Sequence, residues 1–399
     1  MHLSVLFARL GPYHVARLRA LGREHQVTAV ELSGENLNYA WDPVNIEGLN
    51  HAQLFGTNHR NVGVHRLRKR LTTCLEQCTP DAVVVPGWWD PGALLAIAWA
   101  RHNDIPVVLM SDSTALDAPR PWWREWPKRR VVSLCESAIV AGRRHTKYLV
   151  KLGMPENRIW RGYDVVDNEH FAKAAKDARN QPGSLRRDLG LPDRYILSCC
   201  RFIEKKNLAR LVRGYAEYRR RSDTPRALVL VGDGPRRDLL ERLVDDLGMG
   251  AHVYFPGFCQ YDALPPYYGL ADAFVLPSTH EQWGLVVNEA MAAGLPVLVS
   301  ERCGCAPDLV IEGENGHTFD PYDVDGIADA LFRVPNDDEN RRRMGRASRE
   351  RIRDWTPQTF ARNLSAAAER ARHVERPTLH WDQALLLRAL TWKTTARVT

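Results

Sequence analysis

Short apolar runs alternate with longer amphipathic segments along most of the chain. In the first half LSVLFA, QVTAVEL, DAVVVP, IPVVLM and SAIVA have strand length and β-branched character. Between them, YHVARLRALG and PGALLAIAWARHN space their apolar residues as a helix does. A second set, YILSCC, ALVLVG, HVYFPG, AFVLP and PVLVS, repeats the pattern and ends in charged helices from about Asp337 to Val374. Strand, helix and strand in repetition build a parallel sheet covered on both faces, so the fold class is α/β.

The periodicity fades between about Asn168 and Leu191, in AKAAKDARNQPGSLRRDLG, where Pro182 and Gly183 suggest a linker. The expectation is two Rossmann-like, doubly wound parallel-sheet domains facing a cleft, at 1–170 and 190–374. In the last stretch Leu385, Leu386, Ala389, Leu390 and Trp392 stand at helical spacing. A helix over about 375–399 is expected to pack back on the first domain by that face, with binding to a membrane surface as the alternative ranked behind packing.

The 399 residues exceed one ordinary core, which agrees with two domains. A formal charge of +7 is a mild excess that favours anionic ligands, and no stripe of cations with stacking aromatics marks a nucleic-acid module. The eight Cys include Cys199, Cys200, Cys303 and Cys305, without a second pair at zinc-finger spacing; free thiols in a reducing cytoplasm are expected. The opening apolar run stops at Arg9 and reads as a first strand rather than a signal peptide. No run approaches the ~18 apolar residues of a membrane span. Two cationic pieces, PRPWWREWPKRR at 119–130 and RNVGVHRLRKR at 60–70, admit three readings: a helix with its Trp faces inward, an acceptor-binding loop, or peripheral association with anionic lipid. The first two rank ahead of the third.

In open α/β sheets ligands bind beyond the carboxyl ends of strands, which singles out Gly11, Asp112, Arg201, Gly232 and Glu281. In HEQWGLVVNEAMAAGLPVLVS a loop holds Glu281, a helix starts near Gly284, and Gly294 follows its end. The first N–H groups of that helix, near Trp283, Gly284 and Leu285, suit a phosphate or a sugar hydroxyl. Glu289 lies ~7–8 Å further along the axis, a separation that suits a ribose diol. Taken singly, each glutamate is more simply an acid favoured by a helix dipole or salt-bridged in a core. In CCRFIEKKNLARLV, Arg201 and Lys206 flank a strand's ligand end and together make a clamp for a diphosphate.

These residues, with VGDGP at 231–235, FPGF at 255–258, ADAFVLPS at 271–278, the Glu281 and Glu289 pair and NGHTFDPYD at 315–323, resemble the nucleotide-sugar domain of retaining GT-B glycosyltransferases, specifically glycosyltransferase family 4. The resemblance covers about Tyr195 to Ala330. It implies a GT-B fold in which Arg201 and Lys206 hold the donor diphosphate and Glu289 holds the ribose. It also implies that Glu281, with the backbone from Gln282 through Trp283 and Gly284 to Leu285, meets the transferred sugar, and that Phe258 borders the base. Gly11 and Gly232 belong to the same donor set. Cys200 stands where many relatives have Gly, and LMSDST at 109–114 lies where many carry a His. Asp112, Ser111 or Ser113 can take over that polar role, with His14 as a further acceptor-side candidate; strand-end and helix-capping roles are as good a reading of these residues.

Asp323 and Asp325 match the Asp-x-Asp of metal-dependent transferases but read as a helix cap, and GDGP lacks the third Gly of a dinucleotide fingerprint. The resemblance therefore implies a metal-independent hexosyltransferase, with Arg201, Lys206, Glu281 and Asp112 as catalytic candidates and no cofactor. Its substrates are a nucleoside diphosphate sugar, with UDP or GDP as nucleotide, and a hydroxyl acceptor. The alternatives are a nucleotide-sugar epimerase of the same architecture and a silent binding protein. A cytoplasmic enzyme, with membrane association left open, is the expectation.

Overall fold

A computed structural model describes residues 1–34 and 42–395. The chain forms two compact units, Met1–Val165 with Pro357–Thr399, and Val166–Thr356. In the first, seven parallel strands are β1 (His2–Phe7), β2 (Gln26–Glu31), β3 (Asn50–Gln53), β4 (Ala82–Pro86), β5 (Val107–Ser111), β6 (Ser137–Val140) and β7 (Ile159–Arg161). Their order is β3-β2-β1-β4-β5-β6-β7. The order reverses between β1 and β4, so the loops after these strands diverge to opposite faces and leave a crevice at their carboxyl ends.

The second unit repeats the plan with β8 (Tyr195–Cys199), β9 (Ala227–Val231), β10 (Val253–Gly257), β11 (Ala273–Leu276), β12 (Val297–Ser300) and β13 (Gly316–Phe319). Here the order is β10-β9-β8-β11-β12-β13 and the reversal lies between β8 and β11. The central strands are almost wholly apolar because helices cover both faces, and nearly all of their side chains are buried.

Three segments differ from the sequence reading. The proposed linker is the helices Asn168–Asn180 and Pro182–Asp188; Phe171, Ala175 and Ala178 bury against the helix Pro265–Leu270. Gly269 makes that contact close, since a Cβ there would stand 2.7 Å from the Ala175 carbonyl oxygen. The helix Pro357–His373, placed with the second domain by the sequence, packs in the first unit, where Phe360, Leu364 and Ala368 are buried and the Ser137 hydroxyl donates to the Ala367 carbonyl at 2.7 Å. The helix Trp381–Thr395 also lies in the first unit, but it buries Gln383, Leu387, Leu390, Thr391 and Thr394, leaving Leu385, Ala389 and Trp392 outside. Positions 396–399 lie outside the described residues.

The Trp-rich segment is the helix Trp122–Val132, and its three Trp turn outward rather than into a core. The inward positions are taken by Glu125, Val131 and Val132, with Glu125 accepting from Lys128 Nζ at 2.8 Å and from the Tyr148 hydroxyl at 3.1 Å.

Candidate functional site

The crevice of the second unit is built by the loops after β8 and β11. After β8 the chain turns through a short 3-10 segment, Glu204–Lys206, and Asn207 takes a left-handed φ of 59° before the helix Leu208–Arg221. The Asn207 side chain donates to the Pro277 carbonyl at 3.0 Å and to the Pro321 carbonyl at 2.7 Å, tying the loops after β8, β11 and β13 together. Thr279 N–H donates to the Lys205 carbonyl at 2.9 Å, and Arg302 Nε donates to the Thr279 carbonyl at 2.8 Å. The site loops are therefore braced by backbone acceptors before any ligand arrives.

Lys206, only 9% exposed, forms an ion pair with Glu281, and the Ser278 hydroxyl donates to the same Glu281 oxygen at 3.4 Å. Burial pulls the Lys206 ammonium down, but the Glu281 charge and hydrogen bond, with the nearby Cys200 and Cys303, together outweigh it and the pKa ends above its ordinary value. Burial pushes the Glu281 carboxyl up, and the charges of Lys206 and Lys205 overcome that, leaving it below the usual range. Each group thus holds the other ionised in a nearly dry site. Arg201 is half-buried on the same loop.

Gly284 caps the helix Leu285–Ala292 at φ 108°, a left-handed conformation that favours glycine. Trp283 is buried, donates from its indole to the Asn288 side chain at 2.9 Å, and packs on Trp355 at 4.9 Å between ring centroids. Trp283 is thereby a fixed post that aims the turn, with Gln282 and Leu285 half-buried beside it. The loop after β9 closes on the same place: Gly232 has φ 136° and a Cβ there would stand 1.9 Å from the Cys200 carbonyl oxygen. Phe258, at the end of the edge strand β10, is exposed.

Glu289 stands apart from these, at 0% exposure, with the Tyr268 hydroxyl donating to it at 2.6 Å. Cys199 lies close enough that its thiol is pushed well up, by burial first and the Glu289 charge next. All eight Cys are free thiols. Asp323 accepts from Asp325 N–H at 3.1 Å and caps the helix Val324–Phe332, which accounts for the Asp-x-Asp string.

In the first unit Gly11 precedes the helix Pro12–Leu21 and its N–H donates to His14 Nδ1 at 2.9 Å, which places the proton of the neutral ring on Nε2. Burial, then the Arg17 charge, hold the His14 pKa well below its ordinary value. Buried Arg17 donates to the Tyr163 carbonyl at 2.8 Å and lies over the Tyr163 ring at 4.8 Å. Burial raises the Tyr163 phenol, and Arg17, Asp164 and Asp112 all act on it. His14 and Asp112 are thus gathered around Arg17 and Tyr163, while Ser113 N–H donates to the buried Ser111 hydroxyl at 3.2 Å.

Sequence reasoning did not single out Tyr268 or Trp355, whose partners are distant in sequence, or Asn288, inside an apolar run; it also passed over Ser278, although it lies close before Glu281 at a strand end. It also passed over a buried chain in the first unit, where Ser33 Oγ meets His59 Nδ1 at 2.5 Å and His59 Nε2 meets Asp90 at 2.9 Å. Asp90 had a legible signal, the Asp-Pro start of the helix Pro91–His102 just after a strand run; His59 had none.

Residues 184–351 match the model of the family glycosyl transferases group 1. The GDP-mannose-dependent alpha-(1-6)-phosphatidylinositol monomannoside mannosyltransferase of Mycolicibacterium smegmatis is 36% identical over 210 residues, which are 50% of this chain and 53% of that protein. The chain spans about half the length of the curated relatives it matches. Among solved structures, HepE of Anabaena in complex with UDP and glucose superposes with a TM-score of 0.72 at 16% identity, over 92% of this chain and 98% of that one. Sucrose-phosphate synthase from Thermosynechococcus elongatus gives 0.71 at 18% identity, over 92% and 97%. Residues 184–351 are thus similar to the glycosyl transferases group 1 family, and the two parallel-sheet units have the GT-B fold.

Proposed function

We propose that the protein is a retaining, metal-independent glycosyltransferase of family 4 that moves a hexose from a nucleoside diphosphate sugar to a hydroxyl acceptor. The observation that carries this reading is the ionised Lys206 and Glu281 pair at the point where the strand order of the second unit reverses, with Arg201 on the same loop. In it, Arg201 and Lys206 bind the diphosphate and stabilise it as the bond to the sugar breaks. A donor phosphate oxygen takes the acceptor proton while the acceptor attacks from the face the diphosphate leaves, so the anomeric configuration is kept. Glu281, held in place by Lys206 and Ser278, and the helix start at Gly284 position the sugar.

Glu289 is assigned to the ribose; being sealed from solvent and bonded to Tyr268, it receives a diol only when the side chains over it move. His14, Asp112 and Ser113 are assigned to the acceptor. The donor nucleotide is assigned to GDP or UDP, which the names of the mannosyltransferase relative and the HepE complex respectively mention.

A panel of UDP, GDP and ADP with their sugars tests the reading. One nucleotide raises the melting temperature, since a ligand at about 100 times its Kd stabilises the native state by ~2.7 kcal/mol. The matching sugar is then consumed in the presence of EDTA. A panel with no shift and no consumption removes the proposal, and conversion of the donor's sugar to an epimer without any acceptor replaces it with an isomerase.

A further inference from the structure

Trp122, Trp123 and Trp126 on the helix Trp122–Val132, and Trp381, Leu385 and Trp392 on the helix Trp381–Thr395, are 50–78% exposed. Positions 381, 385, 389 and 392 form one face of the second helix, opposite the face that buries Leu387 and Leu390. The helices belong to the same unit and are tied together. The Arg130 guanidinium pairs with Asp382, and the Gln383 amide donates to the Arg130 carbonyl at 3.4 Å and to the Ser133 hydroxyl at 3.2 Å. Isolated exposed Trp residues are ordinary; six large apolar side chains on two linked helices are an interaction surface.

Charge decides what covers it. Arg124, Arg129, Arg388 and Lys393 are exposed among the Trp, whereas the acids of the same helices are spent internally, Glu125 on Lys128 and Tyr148 and Asp382 on Arg130. The neighbouring helix Val64–Cys78 adds exposed Arg66, Arg68, Lys69 and Arg70. A second copy docked by the same face would set these cations against themselves, on a chain already at +7. Tryptophan with interspersed cations and few acids is the composition that sits at the level of lipid headgroups. No described helix is long and apolar enough to cross a membrane. We propose that this face of the first unit rests on an anionic lipid surface, Trp and Leu among the headgroups and Arg and Lys on their phosphates.

Co-sedimentation of the full chain with vesicles of phosphatidylcholine, alone or mixed with phosphatidylglycerol, tests this without any sugar donor, so its outcome is separate from that of the transferase reading. The chain is expected to sediment with the mixed vesicles and to be released by high salt. Two variants, Trp122→Ser/Trp123→Ser/Trp126→Ser and Leu385→Ser/Trp392→Ser, and the charge reversal Arg124→Glu/Arg129→Glu, are each expected to weaken binding roughly tenfold or more at an unchanged melting temperature. Absence of binding to mixed vesicles, or binding unchanged in all three variants, overturns the proposal. Self-association that the Trp variants abolish, with no vesicle binding, overturns it too and gives the face to a second copy.

Discussion

At the scale of single residues the account rests on Lys206 and Glu281. Replacing Lys206 with Ala strands a nearly dry carboxylate, which is expected to cost about 3 kcal/mol of stability, and removes the proposed diphosphate contact, which is expected to lower turnover roughly 100- to 1,000-fold. The double variant Lys206→Met/Glu281→Gln leaves neither charge stranded, so its stability is expected to recover while turnover stays low; chemical denaturation and kcat measured together separate the two roles. The pair also sets a pH signature. Glu281, with its pKa lowered, contributes stability that is complete above the ordinary value of 4.5 and is lost as pH falls through the lowered value. Lys206, with its pKa raised, contributes stability complete below 10.5 and lost as pH rises through the raised value. The double variant is expected to flatten both limbs of a stability profile, and unchanged limbs would contradict the coupling. Both residues were singled out in the sequence, Glu281 because it follows a strand and Lys206 because it stands just before the next helix on the loop that Arg201 opens. Their mutual pairing was not, since nothing local brings position 206 to position 281.

At the scale of elements, Gly232 holds the loop after β9 against the one that carries Arg201. A Cβ at that left-handed position meets the Cys200 carbonyl, so Gly232→Ala is expected to cost ~1–3 kcal/mol and to weaken nucleotide binding as well, a pairing that a denaturation curve and a titration detect. The strands that sequence patterning found are those with long apolar runs. The three it missed, Asn50–Gln53, Ile159–Arg161 and Gly316–Phe319, all lie at sheet edges, where one neighbour and partial burial demand no continuous apolar run. The same physics explains the false linker. Asn168–Asn180 buries only Phe171, Ala175 and Ala178 among charged residues, too narrow a stripe to read against Pro182 and Gly183.

At the scale of the whole molecule, the chain returns to its first unit after completing the second; the sequence reading expected this of the last helix but placed Pro357–His373 with the second domain, because that helix carries an ordinary amphipathic pattern with no mark of its partner. Phe360, Leu364, Ala367 and Ala371 fill the core against β6 and β7, and His25 meets the Ser365 hydroxyl at 2.7 Å. Truncation after Thr356 is therefore expected to unfold the first unit and spare the second, read as loss of protection from amide exchange in β1, β4, β5 and β6 while nucleotide binding survives. The central claim, that a donor diphosphate lodges where the strand order of the second unit reverses, is tested most directly by a crystal structure of the chain with a nucleoside diphosphate sugar. The account predicts phosphate oxygens within hydrogen-bond distance of both the Arg201 guanidinium and Lys206 Nζ, with the sugar beside Glu281. Density for the nucleotide elsewhere, with Lys206 still closed on Glu281 and Arg201 out of reach, would contradict it.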